Sequence, residues 1–215
     1  MKTKLLFLLV GFTLSFSTLF ADEKSYNEAM AATLEQMKTA ATPADFNAIA
    51  NQFERIAQAE QNQWLPYYYA AYATVIQSFM NKDQSKTDQI LDYAEKMVTE
   101  AMKIKADESE IFVVQGFLYI GRIMVDPQTR GAQYSQMASA SFKKAQELNP
   151  ENPRADYMLG MILLNTPDFY GGGKKVAQPV LEGAIQKYEK FVPLTALHPS
   201  WGKDDCMKQL EACKQ

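Results

Sequence analysis

Apolar side chains recur every three or four positions over most of the chain after residue 22, a spacing typical of amphipathic α-helices. The strict alternation of apolar and polar residues that marks a half-buried strand is nearly absent. The pattern predicts helices over residues 25–40, 43–60, 64–81, 86–105, 109–124, 133–148, 153–165, 174–191 and 203–213. We therefore expect an all-α protein.

Residues with a defined role at helix ends bound several of these segments. Thr42 before Pro43 and Asn152 before Pro153 are typical of helix starts, because the polar side chain caps a free backbone N–H and proline suits the first turn. Three consecutive glycines at residues 171–173 predict a loop.

A longer-range pattern repeats from helix to helix. In one predicted helix, the small residue Ala138 is followed by the large Phe142 after four positions and by Ala145 after seven. The same spacing occurs at Ala94, Val98 and Ala101 and at Ala177, Leu181 and Ala184. The preceding helices carry small residues 45 and 44 positions apart, namely Ala71, Gly116 and Gly160. Small residues let antiparallel helices approach closely while large ones fill the space between pairs, so the pattern predicts stacked helix pairs.

This pattern resembles the tetratricopeptide repeat over residues 43–192, most clearly in the stretch SFKKAQELNPENPRADYMLG, residues 141–160. The resemblance implies a right-handed α-α superhelix of about three to four irregular helix pairs, with a C-terminal loop and capping helix in residues 193–215. The sequence departs from the family inside each pair. The small residue of the first helix and the alanine that opens the pattern of the second are 23, 22 and 17 residues apart in the three pairs, which is longer than in the family. We therefore expect an inserted or extended loop within each pair.

A basic N-terminus followed by an apolar run predicts export. Lys2 and Lys4 precede the apolar residues 5–20, and Asp22 follows almost at once, so residues 1–21 are interpreted as a signal peptide and residues 22–215 as the mature helical domain. We expect a periplasmic or secreted protein. No later stretch is apolar enough to span a bilayer, so we expect no stable membrane insertion after signal cleavage.

The charge of the mature domain argues against nucleic acid as a partner. Removal of residues 1–21 leaves 20 basic and 25 acidic side chains, a net charge of −5. Phosphate binding requires clustered lysine or arginine, and no such cluster is present in the sequence.

The residues available for chemistry do not assemble into a catalytic or metal site. His198 is the only histidine, so a general base or a metal site would rest on it alone. The glycines before Lys174 lack the spacing of a phosphate-binding loop. We expect no enzymatic activity, no cofactor and no bound metal. Cys206 and Cys213 are left open as a disulfide or as free thiols, since within one helix they would lie about 10.5 Å apart along the axis.

The resemblance to tetratricopeptide proteins implies a binding surface on the concave face, which is lined by the first helix of each pair. The candidate binding residues are Tyr68, Tyr72, Val113, Phe117, Arg154, Tyr157, Met161 and Asn165. This face is aromatic and apolar, so we expect an interaction scaffold for a protein or peptide partner. The competing interpretation is that extended loops or the C-terminal helix fill this face, so that these residues belong to the core. Trp201 of HPSWG, residues 198–202, is left open either as a residue that folds back to close the end of the array or as plain core.

An alternative function comes from a second, shorter resemblance. The stretch NTPDFYGGGKKVAQPVLEGAI, residues 165–185, is similar to the periplasmic repeat component of tripartite ATP-independent transporters. This resemblance implies a periplasmic carrier of an apolar small molecule.

Overall fold

The computed structural model describes residues 23–214, and within that range the protein is all-helical with no strand, which confirms the predicted fold class. The helices are α1 (residues 23–39), α2 (Pro43–Ala59), α3 (Trp64–Met80), α4 (Gln84–Ile104), α5 (Ser109–Val125), α6 (Pro127–Leu148), α7 (Pro153–Asn165), α8 (Lys174–Lys190) and α9 (Lys203–Lys214). A short 3-10 turn, Asp168–Tyr170, lies between α7 and α8. The predicted signal peptide lies outside the described residues.

Helix packing follows the order of the chain. From α2 to α9, each helix packs against the next one in the chain, and α3, α5 and α7 also contact one another in series. These three helices form a continuous row, with α4, α6 and α8 packed behind it. None of the helices formed by residues 23–214 is long and apolar enough to cross a membrane.

The predicted helix starts are explained by side-chain caps. Thr42 accepts a hydrogen bond from the backbone N–H of Asp45, whose carboxylate accepts one in return from Thr42. The Asn152 side chain accepts from the backbone N–H of Arg154. The start predicted for α6 at residue 133 is wrong by six residues, because Asp126 caps the backbone N–H of Thr129 and Pro127 fills the first turn.

The expected loops within the helix pairs are absent from the first two pairs. Only residues 81–83 connect α3 to α4, and Asp126 alone connects α5 to α6. The extra residues instead lengthen α4 to 21 residues and α6 to 22 residues, so this prediction is wrong there. The third pair has an extended connection, which contains the 3-10 turn and the three glycines.

The small residues of the repeat pattern do let the paired helices approach closely. Gly116 in α5 faces the ring of the fully buried Phe142 in α6, and an added Cβ would overlap that ring. At Gly160 in α7, an added Cβ would lie 2.6 Å from Cδ2 of Leu181 in α8. The alternation of small and large residues thus fixes the spacing within each of these pairs.

Replacement of two helical glycines by alanine should have opposite effects on stability. Gly116→Ala should lower the free energy of unfolding by about 1–3 kcal/mol, because the new methyl group forces Phe142 to move in a packed core. Gly183→Ala should raise it by about 0.5–1 kcal/mol, since Gly183 lies within α8 and no atom lies within 4 Å of its added Cβ. Urea unfolding of both variants measures the difference, and equal effects would contradict the close packing of α5 on α6.

Candidate ligand-binding groove

A groove of about 380 Å³ runs over the row formed by α3, α5 and α7, and we call it the α5–α7 groove. Its lining residues are Tyr72, Phe79, Phe117, Ile120, Ile123, Met124, Ser135, Tyr157, Met158, Met161, Ile162, Asn165, Thr166, Trp201 and Asp205. Most of these side chains are aromatic or aliphatic. The volume lies in the range typical of small-molecule pockets.

Five of the eight candidate binding residues line this groove, namely Tyr72, Phe117, Tyr157, Met161 and Asn165. The other three do not, because Tyr68, Val113 and Arg154 are each fully buried. The expectation that these three would lie exposed on the concave face is therefore wrong. Val113 packs in the core with Phe142, whereas Tyr68 and Arg154 lie under the C-terminal segment.

That C-terminal segment, residues 191–202, folds back over the first turns of the row. The Tyr69 hydroxyl donates a hydrogen bond to the backbone carbonyl of Leu197 at 2.8 Å. The indole N–H of Trp201 donates to the Tyr68 hydroxyl at 2.8 Å, and the Trp201 ring stacks on Tyr72 with centroids 4.8 Å apart. Trp201 thus forms a wall at one end of the groove, while the rest of the groove stays open.

A buried ion pair holds the segment in place. The Arg154 guanidinium donates from Nε and Nη2 to the carboxylate of Glu110 at 2.7–2.9 Å, joining the first turns of α7 and α5. It also lies 4.4 Å from the ring of Phe191 and donates at 3.4 Å to the backbone carbonyl of Trp201. Both partners are almost fully buried, and burial raises the pKa of Glu110. Arg154 is therefore committed to the core rather than to a ligand.

The groove offers few groups for acid-base or metal chemistry. Asp205 is the one charged residue among its described lining residues, and none of them is a histidine. His198 lies outside the groove, 5.9 Å from the Trp64 ring, and burial lowers its pKa. Burial also raises the pKa values of Tyr72 and Tyr157, so their phenols stay protonated.

The cysteines that the sequence left open are both free and buried on α9. The Cys206 thiol lies 3.8 Å from the backbone carbonyl of Leu181, and burial raises its pKa to about 12. Cys206 packs α9 against α8 and is a poor nucleophile, because only the thiolate reacts readily.

Some groove residues were missed from the sequence. Phe79 lies seven positions after Tyr72, and Met124 lies seven positions after Phe117, so both share a helix face with a predicted residue. Extending each predicted face by two turns would have found them. No comparable local signal exists for Asp205, which reaches the groove only because the C-terminal segment folds back.

No protein-family model matches the chain, and no curated protein sequence matches it. Among solved structures, the chain is similar to the HusA haemophore from Porphyromonas gingivalis, with 32% sequence identity and a TM-score of 0.80. The alignment covers 88% of this chain and 92% of the haemophore chain.

Removal of the arginine of the buried ion pair should destabilise the fold. Arg154→Met should cost about 3–5 kcal/mol at neutral pH, because it leaves the Glu110 carboxylate buried without its cationic partner. Adding Glu110→Leu should recover most of this loss. The raised pKa of Glu110 implies that the destabilisation of Arg154→Met shrinks as pH falls, since protonation removes the buried charge. Chemical unfolding at two pH values, followed by the fluorescence of the two tryptophans, Trp64 and Trp201, measures both effects. A double variant no more stable than the single one would contradict the ion pair's role.

Proposed function

The chain belongs to the family of the HusA haemophore, and on that premise we propose that it is an exported protein that binds haem or a related porphyrin in the α5–α7 groove. The observation that carries the proposal is the set of near-parallel aromatic rings at the closed end of this groove. There the Trp201 ring lies within 28° of parallel to both Tyr72 and Phe117, with centroid distances of 4.8 Å and 6.3 Å.

A porphyrin matches such a surface in shape and in polarity. It is a flat, largely apolar ring, and near-parallel aromatic rings favour offset stacking with it. Each 100 Å² of apolar surface removed from water contributes about 2.5 kcal/mol before the cost of association is subtracted. The exposed apolar side chains at the groove's far end, Phe79 and Met124, extend the contact area beyond the aromatic wall.

Binding is expected to depend on the ring more than on the iron. No histidine is among the described groove residues, and the phenols of Tyr72 and Tyr157 would have to lose a proton that burial makes them retain. The remaining soft donors are the thioethers of Met124, Met158 and Met161. A comparison of haem with metal-free protoporphyrin separates recognition of the ring from ligation of the iron.

The shape of the groove favours a small ligand over a peptide. The Trp201 wall closes one end of the groove, so an extended peptide or a partner helix could not run through it as in the common groove-binding modes. Among the functions considered from sequence, a carrier of an apolar small molecule therefore fits better than a peptide-binding scaffold. Association with a transporter stays a prediction from the sequence resemblance alone.

The proposal is tested by titration of the mature protein, residues 22–215, with haem and with metal-free protoporphyrin. Both should quench tryptophan fluorescence, to which Trp201 in the groove contributes, with similar dissociation constants, and both should shift the porphyrin absorption band. Phe79→Glu should raise both dissociation constants at least tenfold, because it replaces apolar contact by a charge that repels the ligand carboxylates. Phe79 is 40% exposed, so the substitution should leave the fold intact.

The matched control is Phe169→Glu, the same change at a phenylalanine that is 79% exposed and does not line the groove. It should bind both ligands like the unmodified protein. Absence of porphyrin binding would refute the proposed function. Binding of haem but not of metal-free protoporphyrin would instead assign recognition to the iron.

A further inference from the structure

The α5–α7 groove is electrostatically asymmetric along its length. Asp205, in the first turn of α9, lies at the end that Trp201 closes. Its carboxylate is, after burial, the next largest cause of the raised pKa values of both Tyr72 and Tyr157, so its field reaches the floor of the groove. The polar side chains at the opposite end, those of Ser135, Asn165 and Thr166, are all neutral.

The charge of Asp205 is only weakly compensated. Lys208 lies 3.3 Å from its carboxylate but does not line the groove, and because the two side chains are 73% and 66% exposed, the pair is only loosely held. No lysine or arginine is found among the lining residues that the structure describes. A ligand carboxylate placed beside α9 would therefore meet a negative charge and no cation to pair with.

The opposite end of the groove gives ligand carboxylates access to water. Met124 and Phe79, which lie there, are 57% and 40% exposed. Asn165 and Thr166 already donate to backbone carbonyls of α7, at 2.8 Å each, so they do not draw a ligand group inward. Carboxylates at this end can keep their hydration, which avoids the cost of burying a charge.

We propose that Asp205 orients the bound porphyrin, with its carboxylate edge directed away from α9, and so selects porphyrins whose carboxylates all lie on one edge. This inference rests on the proposed function. Protoporphyrin, with its carboxylates on one edge, satisfies the restriction. Uroporphyrin, with carboxylates on every side, cannot avoid placing one beside Asp205.

The chain offers a matched control at the adjacent position. Asp204 also lies in the first turn of α9, so its replacement removes the same charge and the same favourable interaction with the helix N-terminus. It borders a different surface, shared with Met207, Lys208 and Glu211, and does not line the groove.

The experiment measures the dissociation constants of protoporphyrin and uroporphyrin for the unmodified protein and for Asp205→Asn, Asp205→Lys, Asp204→Asn and Asp204→Lys. The ratio of the uroporphyrin constant to the protoporphyrin constant should fall about threefold in Asp205→Asn and further in Asp205→Lys. The Asp204 variants should leave that ratio unchanged. Added salt should strengthen uroporphyrin binding to the unmodified protein by screening repulsion, and should weaken it in Asp205→Lys.

Equal changes at the two positions would overturn the inference, because they would assign the effect to net charge alone. A ratio that none of the variants alters would overturn it as well. Failure of the proposed function is separately visible, as the absence of protoporphyrin binding to every variant and to the unmodified protein. Circular dichroism of all four variants checks that α9 stays folded.

Discussion

The buried ion pair between Arg154 and Glu110 is the interaction on which the rest of the binding surface depends. It joins the first turns of two helices in the row and also holds the backbone of Trp201. Two opposite charges buried together must keep good geometry, because each would be costly alone. The pair therefore fixes where the C-terminal segment lies, and that position decides how much of the aromatic row stays open to a ligand.

The sequence predicted the helices well because the information that specifies them is local. Apolar spacing, the caps at Thr42 and Asn152 and the small residues facing Phe142 and Leu181 act within a few turns of one helix pair. The errors arose where some local residues favour a loop and others favour a helix. Residues 127–132 include a glycine and polar side chains that suit a loop, yet the Asp126 cap and Pro127 extend the helix through them.

The binding surface was predictable only in part, because it combines local and distant contributions. Helical spacing placed Tyr72, Phe117 and Met161 on one face, and the structure brings them together. Periodicity alone could not show that Tyr68 and Arg154 would be covered, since the segment that covers them begins at Phe191, 37 residues beyond Arg154 in sequence. The same long-range fold-back brings Asp205 to the groove, so the features most relevant to ligand selection are those that pattern analysis detects least well.

The C-terminal segment also changes how the molecule should fold. An array in which each pair contacts only its neighbours can unfold from its ends, one unit at a time. Here hydrogen bonds span 128 residues from Tyr69 to Leu197 and 133 residues from Tyr68 to Trp201. These contacts tie the beginning of the row to the end of the chain and make the stability of each pair depend on the others. Closing so long a loop slows folding. The same contacts should prevent the ends from unfolding separately, so the protein should unfold as one cooperative unit. Local unfolding would otherwise expose more apolar surface around the groove and favour aggregation.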